Sequence, residues 1–86
     1  MSTINTLLAK DLLPDFLLRF GIRQRLAANL RRLRNEKGWS QEDYADRAGI
    51  HRTYVSDIER GARNPTITVV EKLAKPFAIT AGALLD

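Results

Sequence analysis

The chain has 86 residues, enough for one small hydrophobic core and too few for two. It carries no cysteine and a single histidine, His51. That excludes a disulfide framework, thiolate zinc sites, a cysteine nucleophile and a multi-histidine metal centre within one chain. Lys and Arg outnumber Asp and Glu by 14 to 10, and most of the cations are arginine, the side chain best suited to bidentate phosphate and guanine contacts.

The opening stretch MSTINTLLAKDLLPD has no cationic leader region, and its apolar residues are interrupted by Lys10, Asp11 and Asp15, so no signal peptide is expected. Apolar runs such as Phe16-Leu17-Leu18 are too short to cross a membrane. Ile4, Leu7, Leu8 and Leu12 suit a short helix over 3–12, which Pro14 should separate from the next helix. Pro14 and Asp15 suit a helix start. Apolar residues then recur at Leu18, Ile22, Leu26, Leu30 and Leu33, in one phase through Gly21. This predicts one long helix over 14–36, closed by Gly38.

Ser40 is a good N-cap, and Asp43 three residues on imitates a capping box. The helix behind them is predicted over 41–48, stopping at Gly49. The next is predicted over 51–60, stopping at Gly61. Arg63-Asn64-Pro65 form a turn, and Thr66 caps a helix over 67–75 that Pro76 should end. Thr80 caps a last short helix through Leu85. The β-branched cluster Thr66–Val70 runs into a helical pattern, so the fold is expected to be all-α.

Two short helices joined by a glycine turn make a helix-turn-helix unit. Counting from Gln41 as one, Ala45 is fifth, Gly49 ninth, Val55 fifteenth and Ile58 eighteenth. A small fifth residue lets the helices approach, a ninth glycine accepts positive φ, and the two apolar residues dock the second helix. With a net charge of +4, duplex DNA is the natural ligand.

The stretch Gly38-Trp39-Ser40-Gln41-Glu42, followed by Ala48-Gly49-Ile50, Tyr54–Gly61 and Arg63-Asn64-Pro65-Thr66, resembles the Cro/repressor-type, or XRE-like, helix-turn-helix family. This family includes phage repressors, restriction–modification controller proteins and some antitoxins. The likeness covers about residues 26–85. It implies a five-helix, lambda-repressor-like domain whose third helix lies in the major groove, acting as a homodimer on double-stranded DNA. Residues 1–25 lie outside the likeness. The chain also has Ala78 where the family usually has glycine, and Pro76 where it rarely has proline. The expected organisation is an N-terminal helical extension over 1–21, a candidate dimerisation element, and a DNA-binding domain over 22–86.

The resemblance puts Arg52, Thr53, Ser56 and Asp57 against the bases. Helical spacing gives them one face, opposite Val55 and Ile58. Arg52 can hold guanine O6 and N7, Thr53 can meet a thymine methyl, and Asp57 can accept from cytosine N4. For Asp57 the alternatives are an ion pair with Arg60 or a clamp on Arg52. Phosphate contacts are expected from Gln41, His51, Tyr54, Arg60, Arg63 and Asn64. Gln41 opens a helix, where anions bind, and His51 is also a candidate cap. The resemblance implies a structural salt bridge between Arg34 and Glu59. Trp39 reads as core.

The leading expectation is a sequence-specific DNA-binding transcriptional regulator, a repressor or autoregulator, cytoplasmic and nucleoid-associated. The alternative is an antitoxin-type DNA-binding module whose main partner is another protein. No nucleophile–base pair, metal cluster or phosphate-binding glycine loop is present in the sequence, so neither an enzyme nor a cofactor or metal is expected.

Overall fold

The computed structural model describes residues 21–86, which form five α-helices and one 3₁₀ turn. Helix α1 spans Ile22–Lys37, α2 Gln41–Ala48, α3 Arg52–Glu59, α4 Ile67–Ala74 and α5 Ala81–Leu85, with the 3₁₀ turn Lys75–Phe77 after α4. The short helix expected over 3–12, the break at Pro14 and the continuation of α1's stripe to Leu18 lie outside the described residues.

Helix α1 does not run through Gly21 as the periodicity predicts. Gly21 is extended, with φ −68° and ψ 173°, and acts as the N-cap. Its carbonyl accepts from the N–H groups of Gln24 and Arg25, each at 3.1 Å. The apolar stripe stays in phase across this position, but a glycine loses the most conformational freedom in a helix and is tolerated as a cap.

The remaining boundaries follow local chemistry. Ser40 Oγ accepts from Asp43 N–H at 3.0 Å, and Asp43 Oδ2 accepts from Ser40 N–H at 3.5 Å, completing the capping box. Thr66 and Thr80 cap α4 and α5 through their hydroxyls, which accept from Val69 and Ala83 N–H. Helix α2 closes at Gly49, φ 72°, where Gly49 N–H bonds to Asp46 carbonyl and Ile50 N–H to Ala45 carbonyl. The same pair of hydrogen bonds closes α1 at Gly38 and α3 at Gly61.

Pro76 ends α4 differently from expectation. The α-helix stops at Ala74, and the chain tightens through Lys75-Pro76-Phe77 before turning at Ala78. A proline near the start of a new turn needs no N–H of its own, so it is accommodated there. Ala78 has φ 56° and is the one non-glycine residue with positive φ among those described. Its N–H bonds to Lys75 carbonyl and Ile79 N–H to Ala74 carbonyl, the closure that glycine makes at the other helix ends.

One core joins all five helices. Leu26 and Leu30 of α1 meet Tyr44 and Ala45 of α2, Val55 and Ile58 of α3, Val70 and Leu73 of α4, and Leu84 of α5. Phe77, Tyr44 and Trp39 form a three-ring cluster, with centroids 5.0 Å apart for Phe77–Tyr44, 5.5 Å for Phe77–Trp39 and 6.1 Å for Trp39–Tyr44. Trp39 is half-buried against this core, as expected, with the Arg47 guanidinium 4.4 Å from its ring centre. The Tyr44 hydroxyl donates to the Leu73 carbonyl. Helix α5 is tied to α1 by Asn29 Nδ2, which donates to Leu84 carbonyl at 2.9 Å, and by Arg25 Nε, which donates to Leu85 carbonyl at 3.3 Å.

Candidate nucleic-acid interface

Helix α3 is anchored from below. Val55 and Ile58 are buried in the core, so the opposite side faces out. Ala45, 2% exposed, lets α2 and α3 approach each other closely, as its place in the motif requires. Arg52 and Thr53 are exposed, and Ser56 and Asp57 half-buried, on that outer side. With eight residues the helix is about 12 Å long, a length comparable with the width of a B-DNA major groove.

The buried end of α3 is held by a carboxylate. Glu59 is 4% exposed and accepts from Arg34 twice, Nε to Oε2 at 2.6 Å and Nη2 to Oε1 at 3.0 Å. Arg34 also donates through Nη1 to Trp39 carbonyl at 2.7 Å. The Glu59 hydrogen bond raises the Arg34 pKa further, outweighing burial, so the guanidinium stays charged. The expected structural pair between α1 and α3 is therefore present, and it is more extensive than a pair. Gln41 Nε2 donates to Glu59 Oε1 at 3.2 Å, which adds α2. Arg31, one turn before Arg34, donates to the Glu59 carbonyl.

This arrangement redirects Gln41. Its side-chain amide is turned toward Glu59, so what α2 offers an anion is its first-turn backbone N–H groups. His51 caps α3: Nδ1 accepts from Thr53 N–H at 3.1 Å, which puts the imidazole proton on Nε2. The residue is exposed.

Asp57 takes one of its two structural alternatives and not the other. It pairs with Arg60 and, at 3.0 Å, with Arg63, and among the described residues no carboxylate pairs with Arg52. The hydrogen bonds from Arg63 and then Arg60 hold the Asp57 carboxyl below the usual carboxylate range. The Arg63 guanidinium lies 4.4 Å from the centre of the half-buried Tyr54 ring. Tyr54, Asp57, Arg60 and Arg63 thus form one contiguous group. Asn64 is exposed and follows Arg63 in the chain, where it lines a cavity with Ile22, Arg23, Pro65 and Ile67. Sequence reasoning does not link Arg63 to Asp57, nor Gln41 to Glu59. It misses Arg31 too, although the i,i+3 spacing to Arg34 puts that residue on the same side of α1. Among the described residues no group of acidic and histidine side chains could hold a metal ion.

These features coincide with a known pattern. The model of a helix-turn-helix family, HTH_3, matches residues 30–84. A hypothetical transcription factor of Neisseria meningitidis is 44% identical over 64 residues, 74% of this chain and 60% of that protein. Control protein C.BamHI of Bacillus amyloliquefaciens is 41% identical over 66 residues, 76% of this chain and 82% of that one. The crystal structure of the restriction–modification controller protein C.Esp1396I, a tetramer in complex with its natural 35-base-pair operator, superposes with a TM-score of 0.68 at 32% identity. That match covers 76% of this chain and 86% of the other. With the helix-turn-helix closed at Gly49, Arg52 and Thr53 exposed on the outer face of α3 and the match running from α1 to α5, this chain belongs to the helix-turn-helix family HTH_3, the Cro/repressor-type family that its sequence resembles.

Proposed function

We propose that the protein is a sequence-specific DNA-binding transcriptional regulator, a repressor or autoregulator that acts as a homodimer by occupying an operator. The observation that carries this reading is the outer face of α3. It presents Arg52, Thr53 and Ser56 outward while Glu59 locks the helix to α1 and α2. A reading helix must be rigid to discriminate bases, since loose side chains lose the geometry that a bidentate contact needs. Arg52 is unpaired by any carboxylate among the described residues, so its guanidinium is available to a guanine edge.

The backbone contacts come from the same geometry. His51 offers Nε2–H at the start of α3, and the first turn of α2 offers backbone N–H groups beside Gln41. Tyr54, Arg60, Arg63 and Asn64 supply the other side. The C.Esp1396I operator complex and the control-protein relative support the choice of duplex DNA and of an oligomeric regulator. The mode of action is binding, without a catalysed reaction, and its place is with the DNA in the cytoplasm. No described helix is long and apolar enough to cross a membrane.

The test is selection of bound duplexes from a random pool, with the dimer state measured in parallel. The expected product is a two-fold symmetric site whose half-site centres lie ~34 Å apart or a multiple of it. A pool that shows no enriched site at moderate salt would remove the regulator reading.

A further inference from the structure

Asp57 is an acidic residue on the face that meets a polyanion. Its surroundings explain why it can be there. The Asp57 side chain is 20% exposed, beneath Arg60 at 65% and Arg63 at 43%. Oδ1 accepts from Arg60 Nη2, and Oδ2 accepts from Arg63 Nη2 at 3.0 Å. Each guanidinium carries five donors, and each bond to Asp57 uses one nitrogen, so outward edges stay free. Two guanidiniums and one carboxylate leave a net positive charge facing out.

Backbone geometry makes the pairing possible. Arg63 lies six residues past Asp57, beyond the reach of a continuing helix face. The chain doubles back because α3 closes at Gly61, φ 71°, and Ala62 N–H bonds to the Asp57 carbonyl at 2.9 Å. That returns Arg63 to the carboxylate edge on one side and the Tyr54 ring on the other, 4.4 Å from the ring centre. Arg63 is therefore held by two different interactions before any ligand arrives.

We propose that Asp57 is a positioning residue that holds Arg60 and Arg63 as a preformed fork for two DNA phosphates, and does not itself read a base. The proposal rests on the DNA-binding reading above. Its physical gain is preorganisation. A long flexible side chain otherwise loses rotamer freedom when it meets its ligand, and that loss weakens binding. Seating the carboxylate between two cations also removes the repulsion that a bare one would exert on the backbone.

The decisive variant is Asp57→Asn in the full chain, which keeps the shape and removes the charge. Its affinity is measured by fluorescence anisotropy at several salt concentrations. The probes are the duplex that the wild-type protein selects from a random pool and a random-sequence duplex of equal length. The expected result is binding about tenfold weaker to both, a factor equivalent to ~1.4 kcal/mol. The log–log salt slope becomes shallower by about one, because a phosphate contact is lost. In an Arg60→Ala/Arg63→Ala background the same substitution has little further effect, and Asp57→Glu recovers part of the affinity. Thermal melting of Asp57→Asn verifies that the fold is kept. Unchanged or tighter binding of Asp57→Asn to both duplexes would overturn the proposal, because the carboxylate would then only oppose the DNA. A loss confined to one base position of the selected duplex would overturn it too, since Asp57 would be a base reader. If the wild-type protein itself retained no duplex, the DNA reading would fall first, and this proposal with it.

Discussion

Removing Arg34 exposes how α3 is held. Arg34→Met deletes three donors, two of them to Glu59, which is 4% exposed. Among the described residues only Gln41 Nε2, at 3.2 Å, then remains on the carboxylate. Breaking a buried ion pair from one side costs about 3–5 kcal/mol, because the surviving charge is left without a partner. At ~0.05–0.15 kcal/mol per residue, a domain of this size holds only about 3–10 kcal/mol in total. The single variant should therefore melt tens of degrees lower, at roughly 4–8 °C per kcal/mol. Arg34→Met combined with Glu59→Leu removes both charges and keeps apolar volume, so it should recover most of the loss. What stays missing is the partner of the Trp39 carbonyl and the acceptor of Gln41 Nε2, about 1 kcal/mol each. Thermal and urea unfolding of the wild type, both single variants and the double variant would give the coupling energy directly. A single variant within 1 kcal/mol of the wild type, or a double variant that loses the sum of both single losses, would refute the reasoning.

Ala78→Gly relieves a left-handed alanine at φ 56°. That strain is ~1–2 kcal/mol and the added unfolded-state freedom offsets ~0.4–1, so calorimetry should show a Tm raised by a few degrees. Burial, reinforced by the Glu59 charge, pushes the Tyr44 phenol above its ordinary value of 10. Its contribution is complete below pH ~10 and lost as pH rises beyond it, where the unfolded chain ionises first. Tyr44→Phe, which loses the bond to Leu73 carbonyl and about 1–2 kcal/mol at neutral pH, should show a flatter alkaline decline in pH-dependent unfolding. Arg52→Ala should relax preference at one base position at a cost of ~1–3 kcal/mol, whereas Arg63→Ala should weaken all duplexes alike, as competition binding would show. A chain beginning at Gly21, which keeps the cap of α1, should fold but dimerise at least about tenfold more weakly in sedimentation, a change of ~1.4 kcal/mol. Unchanged dimerisation would assign the interface to residues 21–86.

Features that act within about four residues were legible in the sequence. Ser40 with Asp43, Thr66, Thr80, Gly38, Gly49 and Gly61 mark helix ends because each supplies a cap or a positive φ on the spot. The positions of Ala45, Gly49, Val55 and Ile58 identified the helix-turn-helix for the same reason. Gly21 and Pro76 were misplaced where two local signals compete. At Gly21 an unbroken apolar stripe argues against a glycine cap, and the cap prevails. At Pro76 the helix stop comes one residue early, and the proline is absorbed into a tighter turn.

Partner choice belongs to the tertiary structure. From sequence, Asp57 had Arg60 one turn away and Arg52 on the same helix as candidates. Only the reversal after Gly61 makes Arg63 its second partner. Gln41 reads as an anion contact from its place at a helix start, yet packing α2 against α3 turns its amide to a carboxylate 18 residues away. Arg31 and Asn29 find carbonyls 28 and 55 residues on, contacts that no periodicity encodes. The amino-acid order alone determined which segments are helical, the ends that carry an uncontested cap and the side that each helix buries, because those depend on propensity, capping and hydrophobic spacing along a few turns. Which polar groups meet was decided only when the apolar core set the distances between helices, because a hydrogen bond needs its donor and acceptor within about 3 Å and only a folded chain holds distant residues that close.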